Sequence, residues 1–263
     1  MSMVEIAGGR LFTRVDGDEV RPWIVLSNSL AADHTMWDPQ MALLTQRYHV
    51  LRYDTRGHGR SDAPPAPYSF GDLVGDVLAV MDHHGVERAA YMGLSLGGMT
   101  GLGVALAHPG RLSALVCCDA RADNPEPFVK SWDDRIAVVD QKGTDGLVAG
   151  TIERWLTPDF RAAHPEEEAK LAAMIRATKP EGYKGCAAAL KTLNYLKDLG
   201  RIGVPTLYVV GAEDSGAPVP VMQAMADATP GGKLAIVPDA AHIANVNNPD
   251  GFAGAISAFL SLS

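Results

Sequence analysis

The sequence predicts an α/β protein, a mostly parallel sheet flanked by helices and interrupted once by a helical insertion. Three observations predict it. Short β-rich runs alternate with longer helical patterns through the first 120 residues, the signature of βαβ units. From about residue 120 to residue 203 the chain is helical and polar, with prolines at 125, 127, 158, 165 and 180 and no run that reads as a buried strand. At residue 205 the strand pattern returns. The expected organisation is a core of residues 1–119 and 204–263 with a helical lid of residues 120–203 inserted into it.

In chain order, "RLFTRV" (10–15) and "WIVLS" (23–27) read as strands from their β-branched and apolar content. "MWDPQMALLTQR" (36–47) reads as a helix and "HVLRYD" (49–54) as a strand. "SFGDLVGDVLAVMDHHG" (69–85) is a helix that Ser69 caps, that Leu73, Val77, Leu78, Val80 and Met81 stripe, and that Gly85 ends. "RAAYMGL" (88–94) is a strand, "SLGGMTGLGVALAHP" (95–109) a helix ended by Pro109, and "LSALVCCD" (112–119) a strand. After the insertion, "PTLYVVGAED" (205–214) is a strand and "VPVMQAMADAT" (219–229) a helix. "KLAIVPDAAH" (233–242) is a strand running into a loop, and "DGFAGAISAFLSL" (250–262) is a final helix.

Bulk properties exclude several classes. The 263 residues suffice for one large α/β domain or two small ones, and 47% apolar content supports a substantial core. A net charge of −8 with no cluster of Lys and Arg argues against a nucleic-acid partner. The three cysteines, Cys117, Cys118 and Cys186, are odd in number and form no CxxC pair. They predict neither a disulfide framework nor a thiolate metal site, and they suit a reducing, cytoplasmic compartment. The N-terminus lacks a basic and apolar leader, and no apolar run approaches the ~18–20 residues of a membrane span. Oligomeric state is left open, a homo-oligomer included.

The chemistry gathers around "GLSLGG". Gly93-Leu94-Ser95-Leu96-Gly97 fits G-x-S-x-G between a strand and a helix, where tight packing of the two elements forces the serine into a strained, exposed position. Glycine-rich turns also occur in nucleotide-binding folds, but "GLSLGG" is not G-x-G-x-x-G and no Walker lysine follows. Ser95 is the expected nucleophile. A neutral serine needs an adjacent base. Of the eight histidines, His242 in "PDAAHIANVNNP" lies in the loop between the last strand and the last helix, where strand ends gather beside Ser95. Asp214, at the end of "LYVVGAED", is the expected acid, completing the order Ser, Asp, His; Glu213 and Asp119 compete with it. Asp54 is assigned to organising the turn "DTRGHGRSD", and Asn28 and Ser29 to a simple turn. Backbone N–H groups of Leu96 and of Leu30, in "NSLAAD", are the expected oxyanion donors.

The elbow, "DTRGHGRSDAP", "GAED" and "AHIANVNNP" stand in an order that resembles the α/β-hydrolase superfamily over nearly the whole chain. "VLSNSLAADHTMWDPQ", "GLSLGGM", "ERWLTPDF" and "KPEGYKGCAAAL" more narrowly resemble the 3-oxoadipate enol-lactonase group. The resemblance implies an α/β-hydrolase fold, a mostly parallel eight-stranded sheet flanked by helices with a helical cap after the sixth strand. It also implies ring opening of 3-oxoadipate enol-lactone to 3-oxoadipate, late in the β-ketoadipate route of aromatic breakdown, with no cofactor and no metal.

Two stretches depart from the family pattern: "CCDARADNPEP" brings Asp119, Arg121 and Asp123 where relatives are mostly neutral, and "GAEDSGAPV" keeps only the acid. Acids there would repel the carboxylate of such a lactone unless Arg121 or Arg135 offsets them. Arg135 and Trp132 are the expected substrate-binding residues. Trp132, Ile136, Trp155 and Leu156 are candidates to line the pocket, with at least half expected to pack the lid's own core. "HPEEEAK" (164–170) reads as a solvated helix face. Other members of the superfamily would share the serine, acid and histidine: a carboxylesterase, an acyl-homoserine lactonase, a C–C bond hydrolase or a ligand receptor. An epoxide hydrolase or haloalkane dehalogenase would carry Asp in place of Ser95.

Overall fold

The computed structural model describes residues 1–262. Its strands are β1 (Ser2–Ile6), β2 (Gly9–Asp16), β3 (Trp23–Ser27), β4 (His49–Tyr53), β5 (Ala89–Leu94), β6 (Leu112–Cys118), β7 (Thr206–Gly211) and β8 (Lys233–Val237). The helices between and after them are α1 (Asp38–Leu44), α2 (Phe70–His83), α3 (Leu96–Ala107), α4 (Glu126–Lys142), α5 (Val148–Trp155), α6 (Pro158–Ala163), α7 (Pro165–Ala177), α8 (Pro180–Lys191), α9 (Val219–Ala228), α10 (Ala244–Asn247) and α11 (Pro249–Leu260).

The strands form one sheet in the order β1-β2-β4-β3-β5-β6-β7-β8. β1 pairs antiparallel with β2 and β2 with β4, and every other pairing is parallel. This is the mostly parallel eight-stranded sheet that the sequence implied. All six residues of β5 are buried, as a central strand covered on both faces requires. The register aligns Ser27 with Gly93, Leu94 with Cys118 and Cys118 with Val209, so the carboxyl ends of β3, β5, β6 and β7 open onto one edge. The loops after these strands carry Leu30, Ser95, Asp119 and Asp214.

Several boundaries differ from expectation for local reasons. β1 was not anticipated; it is a short edge strand held by its hairpin with β2. The stretch 36–47 splits into a 3₁₀ turn, His34–Trp37, and the short α1, with Pro39 fixed in the helix's first turn. α3 begins at Leu96 because Ser95, at φ 54°, has left helical space. It ends at Ala107, before Pro109. β7 stops at Gly211, and Asp214 belongs to the turn beyond it. α2 starts as expected, with Ser69 and Asp72 forming a reciprocal capping box.

Between β6 and β7 the chain runs through α4 to α8, with no strand among the described residues there. Pro158, Pro165 and Pro180, which break the pattern on paper, each open a helix, where the missing N–H costs nothing.

Candidate active site

Close packing builds the turn that carries Ser95. A Cβ at Gly93 would run into the Gly97 carbonyl, and one at Gly97 into the Ser27 carbonyl. With the strand and helix this close, Ser95 takes φ 54° and ψ −114°. Such a conformation costs a non-glycine residue about 1–3 kcal/mol. The Ser95 N–H is held by the Cys118 carbonyl at 2.8 Å.

Ser95 Oγ lies 2.9 Å from His242 Nε2, and His242 Nδ1 lies 2.9 Å from Asp214 Oδ2. Burial alone would raise the Asp214 carboxyl. The His242 charge and hydrogen bond, with the N–H groups of Gly216 and Ala217, outweigh burial and hold it below the usual carboxylate range. Those two N–H groups donate to Oδ1 at 2.7 and 3.2 Å. An ionised carboxylate only accepts, so Nδ1 of His242 carries the proton it donates to Asp214. Nε2 then has its lone pair free to accept from the Ser95 hydroxyl. The geometry therefore brings together Ser95, His242 and Asp214, the three residues singled out in the sequence.

The competing acids lie elsewhere. Glu213 is exposed. Asp119 is fully buried at φ 46°; its Oδ1 accepts the Gly211 N–H at 2.8 Å, and its Oδ2 has no hydrogen-bond partner. Burial, then the nearby Asp214 charge, pushes its carboxyl well above the usual range.

Leu96 N–H lies at the N-terminus of α3, and Leu30 N–H in the loop after β3. The N–H groups on either side of Leu30 are engaged: that of Ser29 with Met36 Sδ at 3.3 Å, and that of Ala31 with His58 Nε2 at 2.9 Å. His58 donates its Nδ1–H to the Arg56 carbonyl at 2.9 Å, and burial lowers its tendency to take a second proton. His58 lies in the turn "DTRGHGRSD", and its hold on Ala31 joins segments 27 residues apart, a contact the local sequence does not reveal.

A cavity of about 330 Å³ opens above Ser95 and His242, walled by Leu30, Met99, α4, α5, α8 and Ser215–Ala217. Trp132 and Trp155 line it, whereas Ile136 and Leu156 do not. Arg135 lies over the Trp132 ring at 4.3 Å from its centre. Arg121 also reaches the cavity, but its charge is paired with Asp123 at 2.9 Å. Arg154 and Tyr183, which the sequence did not single out, complete the wall. A helix's phase relative to a pocket is set by tertiary packing, and "IERWL" alone does not reveal it.

Among the described residues the grouping with metal-ligand spacing is Asp33, His34 and Asp54, away from the cavity wall. Three of its four carboxylate oxygens are already engaged. Asp33 Oδ1 caps Thr35, while Asp54 accepts the N–H of His34 and of Arg60, each at 2.8 Å. Asp54 thus organises its turn, as expected, and His34 packs against it at 2.7 Å. The three cysteines are free and buried, and no described helix is long and apolar enough to cross a membrane.

The serine turn, the strand order and the site geometry define a hydrolase-type α/β architecture, and residues 22–249 match the family described as the alpha/beta hydrolase fold. The chain belongs to that family. It is 33% identical over 244 residues to 3-oxoadipate enol-lactonase 2 of Acinetobacter baylyi, covering 93% of this chain and 90% of the relative. It is 31% identical over 243 residues to RutD of Pseudomonas syringae pv. syringae, a protein assigned as a carbamate hydrolase, covering 91% and 94% of the two chains. The crystal structure of the enol-lactonase from Burkholderia xenovorans LB400 superposes with a TM-score of 0.95 at 35% identity, covering 99% of this chain and all of that one.

Proposed function

We propose that this hydrolase opens a small carboxylate-bearing lactone, 3-oxoadipate enol-lactone to 3-oxoadipate, through an acyl-enzyme on Ser95. The observation that carries the reading is the hydrogen-bonded chain Ser95–His242–Asp214 at the floor of a walled cavity. The 33% identity to an enol-lactonase supports the substrate.

In this reading His242 Nε2 takes the Ser95 proton as Oγ attacks the lactone carbonyl, and Asp214 stabilises the imidazolium that forms. The oxyanion sits between the N–H groups of Leu30 and Leu96. Collapse expels the ring oxygen as an enol, protonated by His242; the enol then becomes the ketone. Water, activated by His242, cleaves the acyl-enzyme. Residues 120–203 act as a cap that shields these steps. Trp132 and Arg135 face the substrate's carboxylate, and pairing of Arg121 with Asp123 limits the repulsion expected from the acids of "CCDARAD". No cofactor or metal enters. The unpaired buried cysteines support a cytoplasmic location.

The test is turnover of freshly generated enol-lactone, followed by loss of its ultraviolet absorbance, for wild type and Ser95→Ala beside a p-nitrophenyl ester. Ser95-dependent loss with kcat/KM above roughly 10⁴ M⁻¹s⁻¹ is expected. Ester cleavage without lactone turnover would keep the serine mechanism and move the substrate to another ester or a carbamate.

A further inference from the structure

We propose that Arg154 forms with Arg135 a two-guanidinium clamp for one carboxylate, making Arg154 a specificity-determining residue and short dicarboxylates ligands of the pocket. The inference deepens the reading of Ser95 as nucleophile and rests on it for the direction in which substrate lies.

Arg52 and Arg56, which are buried, show a pattern from which Arg135 and Arg154, half-buried in the cavity wall, depart. Arg52 pairs with Asp16 at 2.8 Å and with Asp38 at 2.6 Å. Arg56 makes a two-pronged bond to Asp76, at 2.7 and 2.6 Å. Arg135 and Arg154 line the cavity, and among the described residues their partners are neutral. Arg135 has the Trp132 ring and the Tyr183 hydroxyl. Arg154 has the Thr151 hydroxyl, at 3.1 Å from Nη2. Glu153, whose carboxylate charge acts weakly on Arg154, is exposed. Burial pushes both guanidinium groups down, and for Arg154 the charge of Arg135 adds to it, to about 10.

Two like charges that act on one another from the half-buried wall of a cavity favour an anion to balance them. The same wall offers a further donor without an acceptor, the buried Trp132 Nε1. Donors in excess, two of them planar forks, match a group that only accepts and is itself planar. Asp119, which also lines the cavity, is engaged by Gly211 and disfavoured as an anion by its burial, so it does not supply the missing charge.

The main chain of Arg154 is tied to that of His242, its carbonyl accepting the His242 N–H at 3.4 Å. Both guanidinium-bearing residues line the same cavity as Ser95, so a carboxylate on the clamp shares that cavity with the nucleophile. Hydrolysis would create a second carboxylate at Ser95 while the first stays on the clamp. The product is then a dicarboxylate spanning the pocket, and saturated analogues such as glutarate should occupy it.

The experiment compares the p-nitrophenyl hemiester of glutaric acid with neutral p-nitrophenyl valerate, in wild type, Arg154→Gln and Arg154→Lys. In parallel, glutarate binding to Ser95→Ala and to Ser95→Ala/Arg154→Gln is measured by calorimetry. In Arg154→Gln the ratio of kcat/KM, anionic over neutral ester, should fall about 10- to 100-fold, carried in KM. Arg154→Lys should recover part of it, and glutarate affinity should fall by a similar factor. An unchanged ratio, or equal glutarate binding by the two Ser95→Ala proteins, overturns the clamp. If wild type cleaves neither ester, it is the reading of Ser95 that fails, and glutarate binding alone then decides the role of Arg154.

Discussion

Asp119 and Asp214 are joined through a single residue. Asp119 Oδ1 accepts the Gly211 N–H at 2.8 Å, and the Gly211 carbonyl accepts the Asp214 N–H at 3.1 Å. Both acids are buried beyond the ends of adjacent strands, yet only Asp214 faces His242.

This division predicts unequal effects on activity. Asp214→Asn should lower kcat/KM on the order of 10⁴-fold, because an amide can stabilise the wrong imidazole tautomer and cannot balance the imidazolium. Asp119→Asn should stay within about tenfold of wild type, since its carbonyl oxygen can still accept from Gly211. Ester turnover by the two variants checks this. The reverse order would transfer the acid's role to Asp119.

Stability should separate the same pair by pH. The Asp119 carboxyl is raised above its unfolded value by burial and by Asp214. The folded protein therefore binds that proton more tightly than the unfolded chain does. The stabilisation is complete below about pH 4 and is lost as pH rises toward the raised value. Asparagine never ionises. The melting temperature of Asp119→Asn relative to wild type should therefore climb between pH 5 and pH 8. A constant difference across that range would mean that the carboxylate is no worse off folded than unfolded.

How much of this was legible in the sequence depends on how local each constraint is. The Ser95 turn could be read because close packing writes itself as glycine at fixed spacing. Asp214 and His242 followed from strand order, since the carboxyl ends of parallel strands meet on one edge. β1 was missed because its five residues are defined by pairing with β2 more than by their own pattern. Arg154 and His58 were missed because their roles depend on helix phase and on a loop distant in sequence. The prolines of the insertion were legible as breaks but not as helix starts.

The spacing argument itself can be tested with two glycines. Gly97→Ala would press a methyl group into the Ser27 backbone under the Ser95 turn, with no room to move aside. It should destabilise the fold by about 2–4 kcal/mol, typical of overpacking with backbone displacement, and lower activity with it. Gly254, exposed in α11, has open space at its Cβ position. Gly254→Ala should stabilise by up to about 1 kcal/mol and raise the melting temperature by about 2–4 °C. Thermal unfolding of both variants decides whether packing or general glycine flexibility governs the turn.

His58 should matter to rate without touching substrate. Its Nε2 accepts the Ala31 N–H at 2.9 Å, and Ala31 sits at φ 68°, a conformation that alanine does not favour. The bond holds the turn that aims the Leu30 N–H at the proposed oxyanion position. In His58→Ala the Ala31 N–H would be left buried and unpaired, and the turn would relax. Loss of one oxyanion donor costs about 10²–10³-fold in kcat, and a displaced donor should cost part of that, about 10- to 100-fold. Because the effect arises in the transition state, it should fall on kcat and leave KM nearly unchanged. Adding Ala31→Gly, which adopts the same φ without strain, should recover part of the loss. Steady-state kinetics on one ester for the three proteins checks it. A rise in KM with kcat intact would place His58 in substrate binding instead of in holding the Leu30 turn.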